Sequence, residues 1–164
     1  MKVEYVAYST PIYMPLNKKE VYLEKLVTLG ICTEAGLYSW TVPKGFVSDL
    51  RSGPAIANAV LGKWGDTPRQ CALVFGHDFM YCKDSLYTLT TKDGTVIEGT
   101  YITKEQADAF FIEGLRWDAE NDKGLHPGKC WAIKKALKWF GGSHFQNDPI
   151  RIYNTCKQEI ETCR

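Results

Sequence analysis

Two hydrophobic rhythms divide the chain. In its first fifty residues apolar positions come in short, loosely alternating bursts, at 2–9, 21–29, 37–42 and 46–50. Thr10-Pro11, Pro15-Leu16-Asn17 and the turn Pro43-Lys44-Gly45 punctuate them. Period-two runs rich in Val, Tyr, Leu and Thr predict strands, here a small, mainly antiparallel N-terminal sheet. Farther on the apolar spacing lengthens to three and four, and helices are expected. Ser52-Gly53-Pro54 opens a short one over 54–61, closed by Gly62. A second begins at Thr67-Pro68-Arg69-Gln70, where Thr67 caps, Pro68 suits the first helical position and Gln70 completes a capping box, and runs to about Cys82. A third starts at the box Thr103-Lys104-Glu105-Gln106 and ends near Ala119 or Glu120, with Ala107, Phe110, Phe111, Gly114 and Leu115 as its inward stripe. A fourth spans 127–140, its core face made by Cys130, Ile133, Leu137 and Phe140, and stops at Gly141-Gly142.

Between the second and third helices, 87–91 and 95–101 flank Lys92-Asp93-Gly94, an Asp-Gly hairpin signal. The hairpin, at about 86–101, reads as an insertion over 83–102 that projects from the core, so that shortening its tip changes stability only slightly. The expected fold is α+β: one domain over 1–164, mainly β over 1–50 and mainly helical over 54–145, with a C-terminal tail over 146–164.

Composition narrows the class. At 164 residues, 45% hydrophobic and 13% aromatic, the chain suits a packed globular domain and not disorder. Lys+Arg 20 against Asp+Glu 19 gives a net charge of +1, which supplies no general field for nucleic acid. No stretch is long and apolar enough to span a bilayer, and Met1-Lys2-Val3-Glu4-Tyr5 lacks the apolar run of a signal peptide. A soluble protein, not secreted by signal peptide, is expected. None of the six cysteines forms a Cys-x-x-Cys zinc spacing, and reduced thiols are expected. Lys129, Lys134, Lys135 and Lys138 lie outside the core stripe of the last helix and give a cationic face, the one candidate for weak contact with a phosphate or lipid surface.

The candidate chemistry sits in Gly76-His77-Asp78-Phe79-Met80-Tyr81, inside the apolar second helix. His77 and Tyr81 are four apart and share a face, while Asp78 is rotated by about 100° toward a different partner. Buried ionisable groups are costly unless paired, so the cluster is either satisfied structurally or does chemistry. Gly76, costly by about 1 kcal/mol inside a helix, points to a backbone or ligand in close approach. Asp108, in the second turn of the third helix, needs an inward partner, and His77 or Tyr81 is nearest in kind if that helix runs antiparallel. His126 reads as a helix-start residue, His144 as surface, and Asp118, Glu120 and Asp122 as a solvated acidic helix end. Cys82 lies off the His77 face. No Gly-x-Ser-x-Gly, phosphate-binding glycine loop or His-Glu-x-x-His is present.

These motifs resemble a family. Val42-Pro43-Lys44-Gly45-Phe46-Val47-Ser48-Asp49-Leu50-Arg51-Ser52-Gly53-Pro54 looks like its Val-Pro-x-Gly-Phe-x-[Ser/Thr]-Asp-x-x-Ser-x-Pro signature. His77-Asp78-Phe79-Met80-Tyr81 matches its His-Asp-x-x-Tyr, and 107–111 its Ala-Asp helix. The chain is thereby identified, over about 42–145, as similar to the phage and prophage family known as domain of unknown function 1353. Arg51 and Gly53 depart from that pattern. The resemblance implies a phage origin, action in the host cytoplasm or virion, and a phage or host protein, or an unknown substrate, as partner. His-Asp-x-x-Tyr is also similar to the active-site helix of phospholipase A2 enzymes. That likeness implies His77 as the base that activates water, Asp78 as a calcium ligand and Asp108 as the carboxylate that orients His77 and meets Tyr81. The glycine-rich calcium loop and cysteine framework of the secreted enzymes are missing. The functional expectation is a metal-assisted hydrolase of an ester or phosphoester. Its base is His77, its oxygen ligands are Asp49 and Asp78, and its cofactor is calcium, magnesium or manganese. The alternative is a non-enzymatic virion-associated or host-interacting protein whose His-Asp-x-x-Tyr cluster is structural.

Overall fold

The computed structural model describes residues 1–49, 67–99, 102–122, 127–140, 145 and 148–154. The expected helix over 54–61, the signature residues Arg51 and Gly53, His126, His144, Gly141-Gly142 and most of the C-terminal tail lie outside them. Among these residues the architecture is α+β with two antiparallel sheets. The larger has five strands in the order β1 (Val3–Tyr8), β4 (Val27–Thr33), β5 (Gly36–Val42), β7 (Tyr87–Thr90), β8 (Val96–Gly99). The smaller joins β2 (Tyr13–Pro15), β3 (Val21–Leu23) and β6 (Val47–Ser48). Three helices follow among the described residues: α1 (Pro68–Tyr81), α2 (Lys104–Asp122) and α3 (Pro127–Phe140).

The core forms on one face of the larger sheet. β4 and β5 pair in unbroken register from Val27↔Val42 to Thr33↔Gly36. Opposite residues share a face, so Val27, Leu29 and Ile31 stand with Val42, Trp40 and Tyr38. Thr28 and Thr41, on the other face, are exposed. This is the alternation of an antiparallel sheet wetted on one side. Trp40, buried, meets Phe110 of α2 edge-on at 5.0 Å.

The central element is α1. Thr67 Oγ1 accepts the Gln70 N–H at 3.2 Å and Pro68 occupies the first turn, as the sequence predicts. From Gln70 to His77 every residue is buried, the mark of a helix enclosed on all sides. Phe75 packs on Tyr13 at 5.6 Å and Phe79 on Phe46 at 5.7 Å, so the smaller sheet closes one side. Gly76 faces β4, where an added Cβ would stand 2.3 Å from a Leu29 methyl. On α2, a Cβ on Gly114 would stand 2.7 Å from a Leu73 methyl. The close approach that Gly76 requires is therefore made by a sheet side chain, not by a ligand. Contacts pair Leu73 with Gly114, His77 with Asp108 and Gln70 with Asp118, so α1 and α2 run antiparallel.

Two expectations are corrected. The run 21–29 is not one strand. It breaks at Glu24–Leu26, and its halves enter different sheets as β3 and β4. Nor does the Asp93-Gly94 hairpin project freely. β7 pairs with β5 from Leu37↔Thr90 to Ser39↔Thr88, because β5 would otherwise be left with a bare edge. The Tyr87 ring lies 5.9 Å from Tyr38 and 6.2 Å from Trp40, tying the hairpin to the core. Replacing all of 86–101, not only the tip, by a short Gly-Ser link should then lower the melting temperature by about 8 °C, taking ~2–3 kcal/mol for the lost aromatic packing and strand pairing. A shift within about 2 °C in a thermal melt would show that the hairpin contributes little.

A segment near the end of the sequence closes the smaller sheet. Val47 N donates to Arg151 O at 3.0 Å and Tyr153 N to Gly45 O at 2.7 Å, around a Phe46↔Ile152 bridge. Arg151 pairs with Glu20 at 2.6 Å, and the Tyr22 and Tyr153 rings meet at 4.6 Å.

Candidate functional site: a carboxylate shared by histidine, tyrosine and lysine

The antiparallel packing of α1 and α2 sets Asp108 against His77 and Tyr81. Asp108 Oδ1 lies 3.2 Å from His77 Nε2 and accepts the Tyr81 hydroxyl at 2.5 Å. Its other oxygen accepts Lys104 Nζ at 2.6 Å, one turn earlier on α2. The same ammonium donates to the Leu137 carbonyl of α3 at 3.0 Å, so three helices meet at one carboxylate. The contact of Asp108 with His77 and Tyr81 follows from the sequence. Lys104 was missed, although the i, i+4 spacing Lys104-x-x-x-Asp108 signals it.

Burial pushes the Asp108 carboxyl upward, but the hydrogen bonds from His77, Lys104 and Tyr81 outweigh it and hold the group below the ordinary carboxylate range. Burial, reinforced by the Asp108 carboxylate, raises the Tyr81 phenol far above its usual value. An ionised carboxylate can only accept. The proton between His77 and Asp108 therefore sits on Nε2, and Nδ1 is the ring nitrogen that Asp108 does not engage. His77 is 0% exposed, its ring is stacked on Phe111 at 4.5 Å, and among the described residues its buried Nδ1 has no hydrogen-bond partner. Tyr81 packs against His77 at 4.4 Å and edge-on to Phe145 at 5.3 Å.

Asp78 points elsewhere, as its rotation from His77 predicts, and accepts a short hydrogen bond from the Ser48 hydroxyl at the end of β6. Asp49 is exposed. A hard divalent cation takes six or more oxygens. Among the described residues no group of three or more His, Cys, Asp or Glu side chains could hold one. Burial, with Asp78 and Asp148 nearby, pushes the Cys82 thiol up to about 12, which leaves it a protonated, unreactive group at neutral pH.

A second polar cluster was misread from the sequence. Asp118 is not solvated: it is 1% exposed, pairs with Arg69 at 2.7 Å and accepts Gln70 Nε2 at 2.9 Å. The Arg69 guanidinium lies 5.1 Å from the Trp117 ring and 5.5 Å from that of Tyr8. The helix continues to Asp122, so Asp118 is one turn inside it.

A mixed α+β domain with a His-Asp-x-x-Tyr helix closed by a second helix carrying the partner aspartate defines the class of protein. The chain belongs to the family described as protein of unknown function (DUF1353), whose model matches residues 26–122. The match takes in β4 and both helices that carry His77, Tyr81, Lys104 and Asp108, and ends before α3. No curated protein and no solved structure matches the chain. Among the described residues no helix is long and apolar enough to cross a membrane.

Proposed function

We propose that the protein hydrolyses an ester or phosphoester bond, with His77 as general base and Asp108 as the group that orients it. The observation that carries this reading is the division of labour within one imidazole: Nε2 is engaged by Asp108, and Nδ1 is buried without a partner among the described residues. Leaving a buried nitrogen unpaired costs about 1–3 kcal/mol, so the position favours a small polar guest such as water. In the reaction Nδ1 takes a proton from water as its oxygen adds to the carbonyl or phosphoryl centre. Asp108 stabilises the imidazolium, and the proton returns to the departing alkoxide. Tyr81 and Lys104 hold Asp108 in place from its two oxygens.

Complete burial of the His77 ring favours a second reading, a structural cluster in a non-enzymatic binding protein. A panel of p-nitrophenyl carboxylate and phosphate esters separates the two. His77→Ala should lower turnover by about 10²–10⁴-fold with the circular dichroism spectrum unchanged. No turnover by the wild-type protein on any member, together with a melting temperature that falls in His77→Ala, would favour the structural cluster.

A further inference from the structure

We propose that α3 docks the protein on an anionic lipid bilayer. Its residues divide into two opposed stripes. Cys130, Ile133, Ala136 and Leu137 are buried against the rest of the fold. Trp131, Lys134, Lys135 and Lys138, spaced i, i+3, i+4 and i+7, share the opposite face and are all exposed. Trp131 is 62% exposed, an unusual state for so large an aromatic, and Lys135 Nζ lies 5.7 Å from its ring.

Charge complementarity identifies the occupant. Between residues 127 and 140 there are four lysines and no acid, in a chain whose net charge is only +1, so positive charge is concentrated on this helix. Lysine alone would suit any polyanion. The indole among the lysines selects a surface that is apolar just below its charges, because tryptophan favours the boundary between headgroups and acyl chains. A free phosphate or a duplex offers the charge without that boundary. The surface stands independently of the proposed hydrolysis, since it is defined by binding alone. Through Lys104, which joins the Leu137 carbonyl to Asp108, it lies beside the cluster described above.

The test is sedimentation of the full-length protein with vesicles of phosphatidylcholine alone or mixed with phosphatidylglycerol, at low and high salt. Partition onto the mixed vesicles should exceed that onto phosphatidylcholine by on the order of 100-fold at low salt and fall as salt rises. Each lysine contributes about fivefold, so Lys134→Gln with Lys138→Gln should reduce partition about 25-fold, and Trp131→Ala should reduce it on both vesicle types. Melting temperatures of these surface variants should match wild type. Equal partition onto both vesicle types, or variants that bind like wild type, would overturn the proposal. So would tighter binding to a DNA duplex than to the mixed vesicles, which would assign the face to nucleic acid.

Discussion

Asp118→Ala is expected to cost about 3–5 kcal/mol of folding stability, a large part of what a domain of this size has. Asp118 is 1% exposed and Arg69 is half-buried, with 17% of its side chain exposed. Ionic groups taken out of water are tolerated when each remains matched to the other. Removing the acid takes the 2.7 Å ion pair from the guanidinium that lies between Trp117 and Tyr8, and a 2.9 Å hydrogen bond from the Gln70 amide. The cost is the desolvation that Asp118 now offsets at those groups more than the attraction lost. Asp118→Leu combined with Arg69→Met should therefore recover much of the stability, because apolar side chains then replace both members of the pair. Urea unfolding of the two singles and the double measures this. A loss below about 1 kcal/mol in Asp118→Ala would mean that water reaches the pair.

Asp108→Asn is expected to cost about 2–4 kcal/mol at neutral pH and to remove one component of acid unfolding. The amide cannot accept from His77, Tyr81 and Lys104 at once without offering a hydrogen to one of these donors. The pH dependence has a definite sign. Asp108 is held below the ordinary carboxylate value in the folded protein, so the unfolded chain binds its proton first as pH falls. Its contribution is complete above the unfolded value and disappears as pH drops through the lower, folded one. Wild type should lose stability across that acidic window, and Asp108→Asn should show a shallower slope there. Parallel slopes in stability measured by urea midpoint against pH would place the acid sensitivity on other carboxylates.

The residues explain how far the chain could be read in advance. The caps at Thr67 and Thr103 and the Asp93-Gly94 turn are local devices, complete within four residues, and all three are present. The contact of Asp108 with His77 and Tyr81 was legible because an inward acid on an apolar stripe needs a nearby donor, and antiparallel helices supply one. Asp118 was not legible. Its neighbours Glu120 and Asp122 make it resemble a wet helix end, and its partner Arg69 is 49 residues away. The break between β3 and β4 was equally hidden, since no Gly or Pro marks it. It follows from which strands lie opposite, β6 for one half and β5 for the other. Gly76 was read correctly as a site of close approach, but only packing identifies Leu29 as what approaches.

The segment that closes the smaller sheet has a consequence for how the chain acquires its fold. The β4–β5 hairpin joins neighbours in sequence and can form as soon as both strands exist. Arg151 and Glu20 are 131 residues apart, and the Phe46↔Ile152 bridge spans nearly as much chain. Contacts of such high order must await the emergence of residues 151–153, and the entropy of closing so long a loop slows them. On the ribosome the larger sheet and α1 can therefore assemble while the smaller sheet still lacks its last pairing. During that interval Phe46 and β6 present an unpaired edge, and this is where a nascent chain of this protein is most exposed to mispairing.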